Sequence, residues 1–114
     1  MHELGIVFHI IKQVKDVALE NNCSKISKVV MHIGEVSTVV PYYLEDCWNW
    51  AVAKEDMLTA CKLEIITQEA VTWCDDCRQE YPTVAHGKTC PYCGSGNTWL
   101  LRGNEVEIKE IEAK

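Results

Sequence analysis

The chain has no surplus of positive charge, few glycines and prolines, a single phenylalanine and no long apolar run. Eleven Lys and Arg stand against seventeen Asp and Glu, giving a formal net charge of −6. That charge is spread as −3 over residues 1–68, −1 over 69–104 and −2 over 105–114. The missing basic stripe counts against a nucleic-acid surface. Six Gly and three Pro in 114 residues, 47% of them apolar, exclude a disordered or low-complexity chain. No stretch approaches the roughly twenty apolar residues that span a bilayer. The first residues also lack the basic, apolar and small-residue regions of a secretory signal. A cytoplasmic protein without membrane insertion is therefore expected. Gly34-Glu35 is no phosphate-cradling loop, and no nucleophile–base arrangement stands out, so no enzyme is expected.

Cysteine, by contrast, is plentiful. Seven are present, an odd number, and without an export signal the two CxxC pairs read as metal ligands rather than disulfides. Cys74-x₂-Cys77 and Cys90-x₂-Cys93 are separated by twelve residues, so two short loops can face each other and complete a tetrahedral S₄ shell. Pro91 restricts the second loop and Gly94 relieves crowding after its last ligand. Two matched pairs suit a metal better than thioredoxin-like redox chemistry. Zn²⁺ is the expected ion, although iron would accept the same four sulfurs. Four thiolates leave no position for water or substrate, so the ion should be structural. Residues 69–104 hold too little apolar material for an independent core and should melt without it.

Trp73, Tyr81 and Trp99 are expected to pack around the ion. Their competing role, a stacking platform for single-stranded nucleic acid, lacks an accompanying Arg/Lys track. His86 reads as a polar loop residue, with direct or indirect metal contact as the alternatives. Cys23 has no paired spacing, and Cys47 and Cys61 fall on apolar faces where buried thiols are expected.

The rest of the chain is patterned for a small α/β layer. Leu4, Val7, Phe8, Ile11, Val14 and Ala18 share one face of a helix from Leu4 to Glu20, and Asn21-Asn22 supplies its stop. Ile26 to Ile33 alternates as a strand with Val29, Met31 and Ile33 on one side, and Gly34 ends it. Pro41 opens a second helix to about Lys54, with Leu44, Cys47, Trp48 and Ala51 inward and Tyr42, Tyr43 and Trp50 elsewhere. Ala60 to Thr67 reads as a second strand, and Val106 and Ile108 mark a third. The expected fold is thus α+β: a two-layer, three-stranded sheet with two helices, interrupted by a zinc-ribbon-like insertion. The predicted boundaries are 1–68 plus 105–114 for the α/β domain and 69–104 for the insertion.

Met1-His2-Glu3 is a second candidate metal site. A free amine, the adjacent imidazole and the amide between them can fill three corners of a nitrogen-rich square. Glu3, through its amide or carboxylate, or an outside ligand would supply the fourth. Such a donor set suits Ni²⁺ or Cu²⁺. The plain alternative is an exposed start in which Glu3 favours a helix N-terminus.

These motifs together resemble the HypA/HybF family of hydrogenase-maturation nickel metallochaperones. The resemblance rests on Met1-His2-Glu3-Leu4, on His32-Ile33-Gly34-Glu35-Val36-Ser37, on the paired cysteines with Cys90-Pro91-Tyr92-Cys93-Gly94-Ser95, and on the acidic C-terminal strand. Gly5 stands where that family commonly has Ser. The resemblance implies nickel donors at Met1, His2 and Glu3, and zinc ligands at Cys74, Cys77, Cys90 and Cys93. It further implies delivery of Ni²⁺ to the large subunit of NiFe hydrogenase with a maturation GTPase, HypB, and in some members support of urease maturation proteins. Homodimerisation is left open. The different-class alternative is a zinc-ribbon adaptor for nucleic acid or transcription machinery.

Overall fold

Every strand must find a partner for its backbone, and the chain solves this with two separate three-stranded sheets. The computed structural model describes residues 3–113. Helix α1 spans Glu3–Glu20, strand β1 Ile26–Gly34, helix α2 Pro41–Val52 and strand β2 Lys62–Gln68. Strands β3 (Val71–Cys74) and β4 (Gln79–Pro82), a short helix α3 (Thr83–His86) and β5 (Thr98–Arg102) follow, before β6 (Val106–Ala113). The first sheet runs β2-β1-β6, parallel between β1 and β2 and antiparallel between β1 and β6. The second runs β4-β3-β5, antiparallel throughout. The expected α+β layer of two helices on a three-stranded sheet is borne out.

The first core lies between the helices and one face of β2-β1-β6. Val29, Met31 and Ile33 of the central strand meet Val7, Ile10, Ile11 and Val14 of α1 and Leu44 and Trp48 of α2. The opposite face carries charged pairs around a buried Val30. Lys28 lies between Glu64 (3.1 Å) and Glu112 (3.8 Å), and His32 lies 3.6 Å from Glu107, tying both outer strands to the centre.

Local chemistry explains the element ends. Asn22 takes the left-handed conformation (φ 57°), while the N–H groups of Asn22 and Cys23 reach back to the carbonyls of Leu19 and Ala18. That pair of bonds closes α1 as a Schellman motif, as Asn21-Asn22 predicted. Helix α2 has no side-chain cap of its own. Pro41 pre-sets its first turn, and the buried Glu3 carboxylate accepts the Val40 N–H at 3.2 Å, placing an acid at the positive end of α2.

Three expectations need correction. Leu4 and Phe8 are exposed, and Ile10 joins the inward stripe instead. At about 100° per residue Phe8 stands a quarter-turn from Val7, outside the arc facing the sheet. Strand β2 begins at Lys62 rather than Ala60, because Ala60 is left-handed (φ 62°) and the Cys61 carbonyl is taken by the Trp48 indole N–H at 3.1 Å. Helix α2 stops at Val52, two residues early, where Lys54 and Glu55 turn back to the carbonyls of Ala51 and Val52.

The two sheets meet at residues 34–36, 68–70 and 103–105. Gly34 and Val36 bond through their N–H groups to the carbonyls of Glu105 and Gly103, and Glu35 to that of Gln68. The Glu35 carboxylate accepts the Ala70 N–H at 3.0 Å, and that of Glu105 accepts the Gly103 N–H. A Cβ on Gly34 would overlap the Gly103 carbonyl, and one on Gly103 (φ 113°) would overlap Ala70. Beyond this junction the molecule is drawn out to 54 × 26 × 16 Å, with a radius of gyration of 17.6 Å. A compact chain of this length would have a radius of about 13 Å.

Gly34→Ala should therefore destabilise the protein by about 1–3 kcal/mol, read as a lower urea midpoint. Gly5→Ala is the control: a Cβ there meets nothing within 4 Å, and an exposed helical Ala should gain up to about 1 kcal/mol.

Candidate metal centre

Two β-knuckles built on one pattern bring the four cysteines together. In the first, Cys74 ends β3, and the N–H of Arg78 returns to the Cys74 carbonyl at 2.9 Å with Arg78 left-handed (φ 56°). In the second, Gly94 (φ 73°) donates to the Cys90 carbonyl at 2.8 Å. Gly suits that conformation, whereas Arg tolerates it at a modest cost. The turns leave Cys74 Sγ 3.6 Å from Cys93 Sγ and Cys77 Sγ 3.5 Å from Cys90 Sγ. All four sulfurs lie within 4.8 Å of one another. A tetrahedron with metal–sulfur distances of about 2.3 Å has edges of about 3.8 Å, so the donor set fits one four-coordinate ion. A metal-binding Cys₄ cluster at Cys74, Cys77, Cys90 and Cys93 is thus present.

Hydrogen bonding differentiates the thiols. Burial pushes Cys77 up, and sulfur hydrogen bonds with Cys90, Cys74 and Cys93 add to this, to about 12. Burial pushes Cys90 up as well, but N–H groups of Tyr92 and Cys93 and the neighbouring thiols outweigh it, leaving Cys90 at about 7. The Tyr92 N–H stands 3.4 Å from the Cys90 sulfur, positioned to support a thiolate there.

The surroundings are tied to the knuckles by residues whose parts the sequence did not disclose. Asp76, inside the first CxxC, accepts from Ser95 Oγ and from Asn97 Nδ2, which ties one knuckle to the chain leaving the other. Those bonds, Ser95 first, hold the Asp76 carboxyl below its ordinary range. Asp75 accepts both indole N–H groups, Trp73 at 3.0 Å and Trp99 at 3.2 Å. Doubled acids inside the first CxxC and Ser-x-Asn after the second were the available signals. Tyr81 is buried beside Cys74 and Cys90, and its hydroxyl donates to the Gly87 carbonyl at 2.8 Å. Trp99 does not share that burial: it is 50% exposed, and Trp73 is only half-buried. Their indoles bond outward to Asp75 instead. His86 is exposed at the end of α3, edge-on to Tyr81, and does not join the sulfur cluster.

Among the remaining cysteines, Cys61 is buried, which pushes its thiol up to about 11. Cys47 is only half-buried and lines a shallow hollow with Leu4, Asp46 and Trp50. Met1 and His2, two of the three expected nickel donors, lie outside the described residues. Glu3, the third, turns its carboxylate inward to Val40.

Residues 1–113 match the family described as hydrogenase/urease nickel incorporation, metallochaperone, hypA. The chain belongs to the HypA family. Among its relatives, the hydrogenase maturation factor HypA of Aquifex aeolicus is 36% identical, the match covering 98% of this chain and 96% of that protein. The HypA of Francisella philomiragia is 34% identical over 97% of both. The solution structure of the Ni metallochaperone HypA from Helicobacter pylori aligns with a TM-score of 0.73 at 25% identity, covering 99% of this chain and 97% of that one. HypA proteins carry metal rather than catalyse a reaction, which suits a shell closed by four sulfurs.

Replacing Cys90 by Ser should release the bound ion and collapse the dispersion of the Trp73 and Trp99 indole resonances. The Trp48 resonance, in the other core, should persist. The check is metal analysis with NMR. Binding displaces thiol protons, so affinity falls with falling pH. Above neutrality Cys90 is already ionised while Cys77 is not; below about pH 7 Cys90 presents a further proton. Chelator competition should accordingly show a pH dependence steeper by about one proton below pH 7 than above it.

Proposed function

We propose that this chain carries Ni²⁺ for insertion into NiFe hydrogenase, and into urease where that enzyme is present. The observation that carries this reading is membership of the HypA family across residues 1–113, joined to the Cys₄ centre. In this reading the four cysteines hold a resident Zn²⁺ that orders the insertion, residues 69–104. Residues 1–68 and 105–114 form the nickel-carrying unit.

The cargo is held elsewhere, at Met1, His2 and Glu3, through the terminal amine, the imidazole and backbone amides. Two features around Glu3 support this. Helix α1 starts at Glu3, and N–H groups in a first turn have no acceptor within their own helix. The Glu3 carboxylate meanwhile faces Val40, which makes its amide the more available donor. A terminal chelate of this kind has an open side through which the ion can be passed on.

The partners in this reading are a HypB-type GTPase and the hydrogenase large subunit, met in the cytoplasm. No helix among the described residues is long and apolar enough to cross a membrane. The nucleic-acid adaptor finds no support. Trp73 and Trp99 converge on the acid Asp75 rather than on a basic track, and the relatives are hydrogenase maturation factors.

Calorimetric titration of Ni²⁺ into zinc-loaded protein should show near-stoichiometric binding that His2→Ala removes while zinc content is unchanged. Equal nickel affinity in the two proteins would sink the terminal site.

A further inference from the structure

The outward face of the second sheet presents an arrangement that the metal centre does not use. Trp73 and Trp99 are direct partners across β3 and β5, so they share one face. Both indole N–H groups converge on a single oxygen, Asp75 Oδ1. Asp75 is itself pinned, its backbone N–H donating to the Asn97 carbonyl at 3.0 Å. Two large rings and one carboxylate are thus held in fixed relation on a surface where Trp99 stays half exposed and Asp75 exposed. A hydrophobic contact alone would not explain an acid placed between two indoles.

The charge balance indicates what fits there. Glu80, across β4 from Trp73, is already paired with Arg102 at 3.4 Å. Asp75 has no basic partner among the described residues, and no hydrogen bond to its second oxygen is seen among them. The molecule satisfies one of its other exposed indoles with a cation: Lys54 Nζ stands 3.6 Å over the Trp50 ring. A cation is attracted to the face of an indole, and a planar guanidinium can stack on that face while donating to a carboxylate at its edge. Lysine can do only one of these well.

We propose that the Trp73–Trp99–Asp75 face is a docking site for an arginine side chain presented by a protein partner. The guanidinium stacks on the exposed Trp99 ring and donates to Asp75 Oδ2, while Oδ1 keeps its two indole bonds. The site belongs to the second sheet, so it is independent of the terminal nickel donors and survives their removal.

The test is a titration of the ¹⁵N-labelled, zinc-loaded full chain with N-acetyl-arginine methylamide, followed at the four indole N–H resonances. Trp73 and Trp99 should shift together and saturate with an affinity on the order of millimolar, while Trp48 and the Lys54-covered Trp50 stay still. The neutral isostere N-acetyl-citrulline methylamide should leave all four unmoved, and the lysine analogue should bind at least about threefold more weakly. Asp75→Asn keeps an acceptor for both indoles but loses the charge, so arginine affinity should drop at least about fivefold with the spectrum otherwise intact. Trp99→Ala should abolish the response at Trp73 while zinc content stays at one ion. Citrulline shifting the same indoles as strongly, equal affinity for lysine, or an unaltered response in Asp75→Asn would each overturn the proposal.

Discussion

Gly34 and Gly103 come into backbone contact where the two sheets meet, and the remaining geometry follows from that approach. Because neither carries a side chain, the loop after β1 can lie between the chain entering the second sheet and the chain leaving it. Three backbone bonds from Gly34, Glu35 and Val36 then pin both crossings, and the Glu35 carboxylate adds a fourth through Ala70. The central strand of one sheet therefore sets the position of the other. Without that contact the knuckles would hang from two unsupported strands, since the molecule is long and thin and the two cores share no buried residue.

Much of this could be read from residue pattern, and the failures have physical reasons. The first sheet was legible because its strands alternate and its helices carry strong boundary signals, the stop at Asn21-Asn22 and the start at Pro41. The Cys₄ cluster was legible because two loops with two thiols each have few alternatives as donor sets. Strands β3, β4 and β5 were not, as each is only four or five residues long and takes its order from the knuckles rather than from alternation. Trp99 was expected inside because aromatic area usually is buried. A single acid, Asp75, holds its indole at the surface instead. Periodicity likewise placed Phe8 in the core, since a helical stripe drawn from sequence has no information on how wide an arc the neighbouring sheet covers.

The two metal roles ask opposite things of a protein. A resident ion is best served by four thiolates in a closed shell, tied on by bonds such as Tyr92 N–H to Cys90 and Ser95 to Asp76. A cargo ion must be surrendered, which favours few donors at an accessible chain end. In the proposed reading that end precedes α1, which is packed along its length in the core and whose Glu3 carboxylate accepts the N–H of Val40 at the start of α2.

The interrupted first sheet also orders events in time. β1 and β2 leave the ribosome before the knuckles, whereas β6 follows them, so one edge of the central strand stays open while the second sheet is made. Pairing Ile26 with Ala113 closes a loop enclosing everything after α1 and its turn, while β3, β4 and β5 close through much shorter ones. Closing the second sheet therefore costs less chain entropy than placing β6, so the knuckles can form while the layer that supports α1 is still incomplete. A chain that fails to place β6 would keep an unpaired β1 edge, the kind of edge that pairs with other chains.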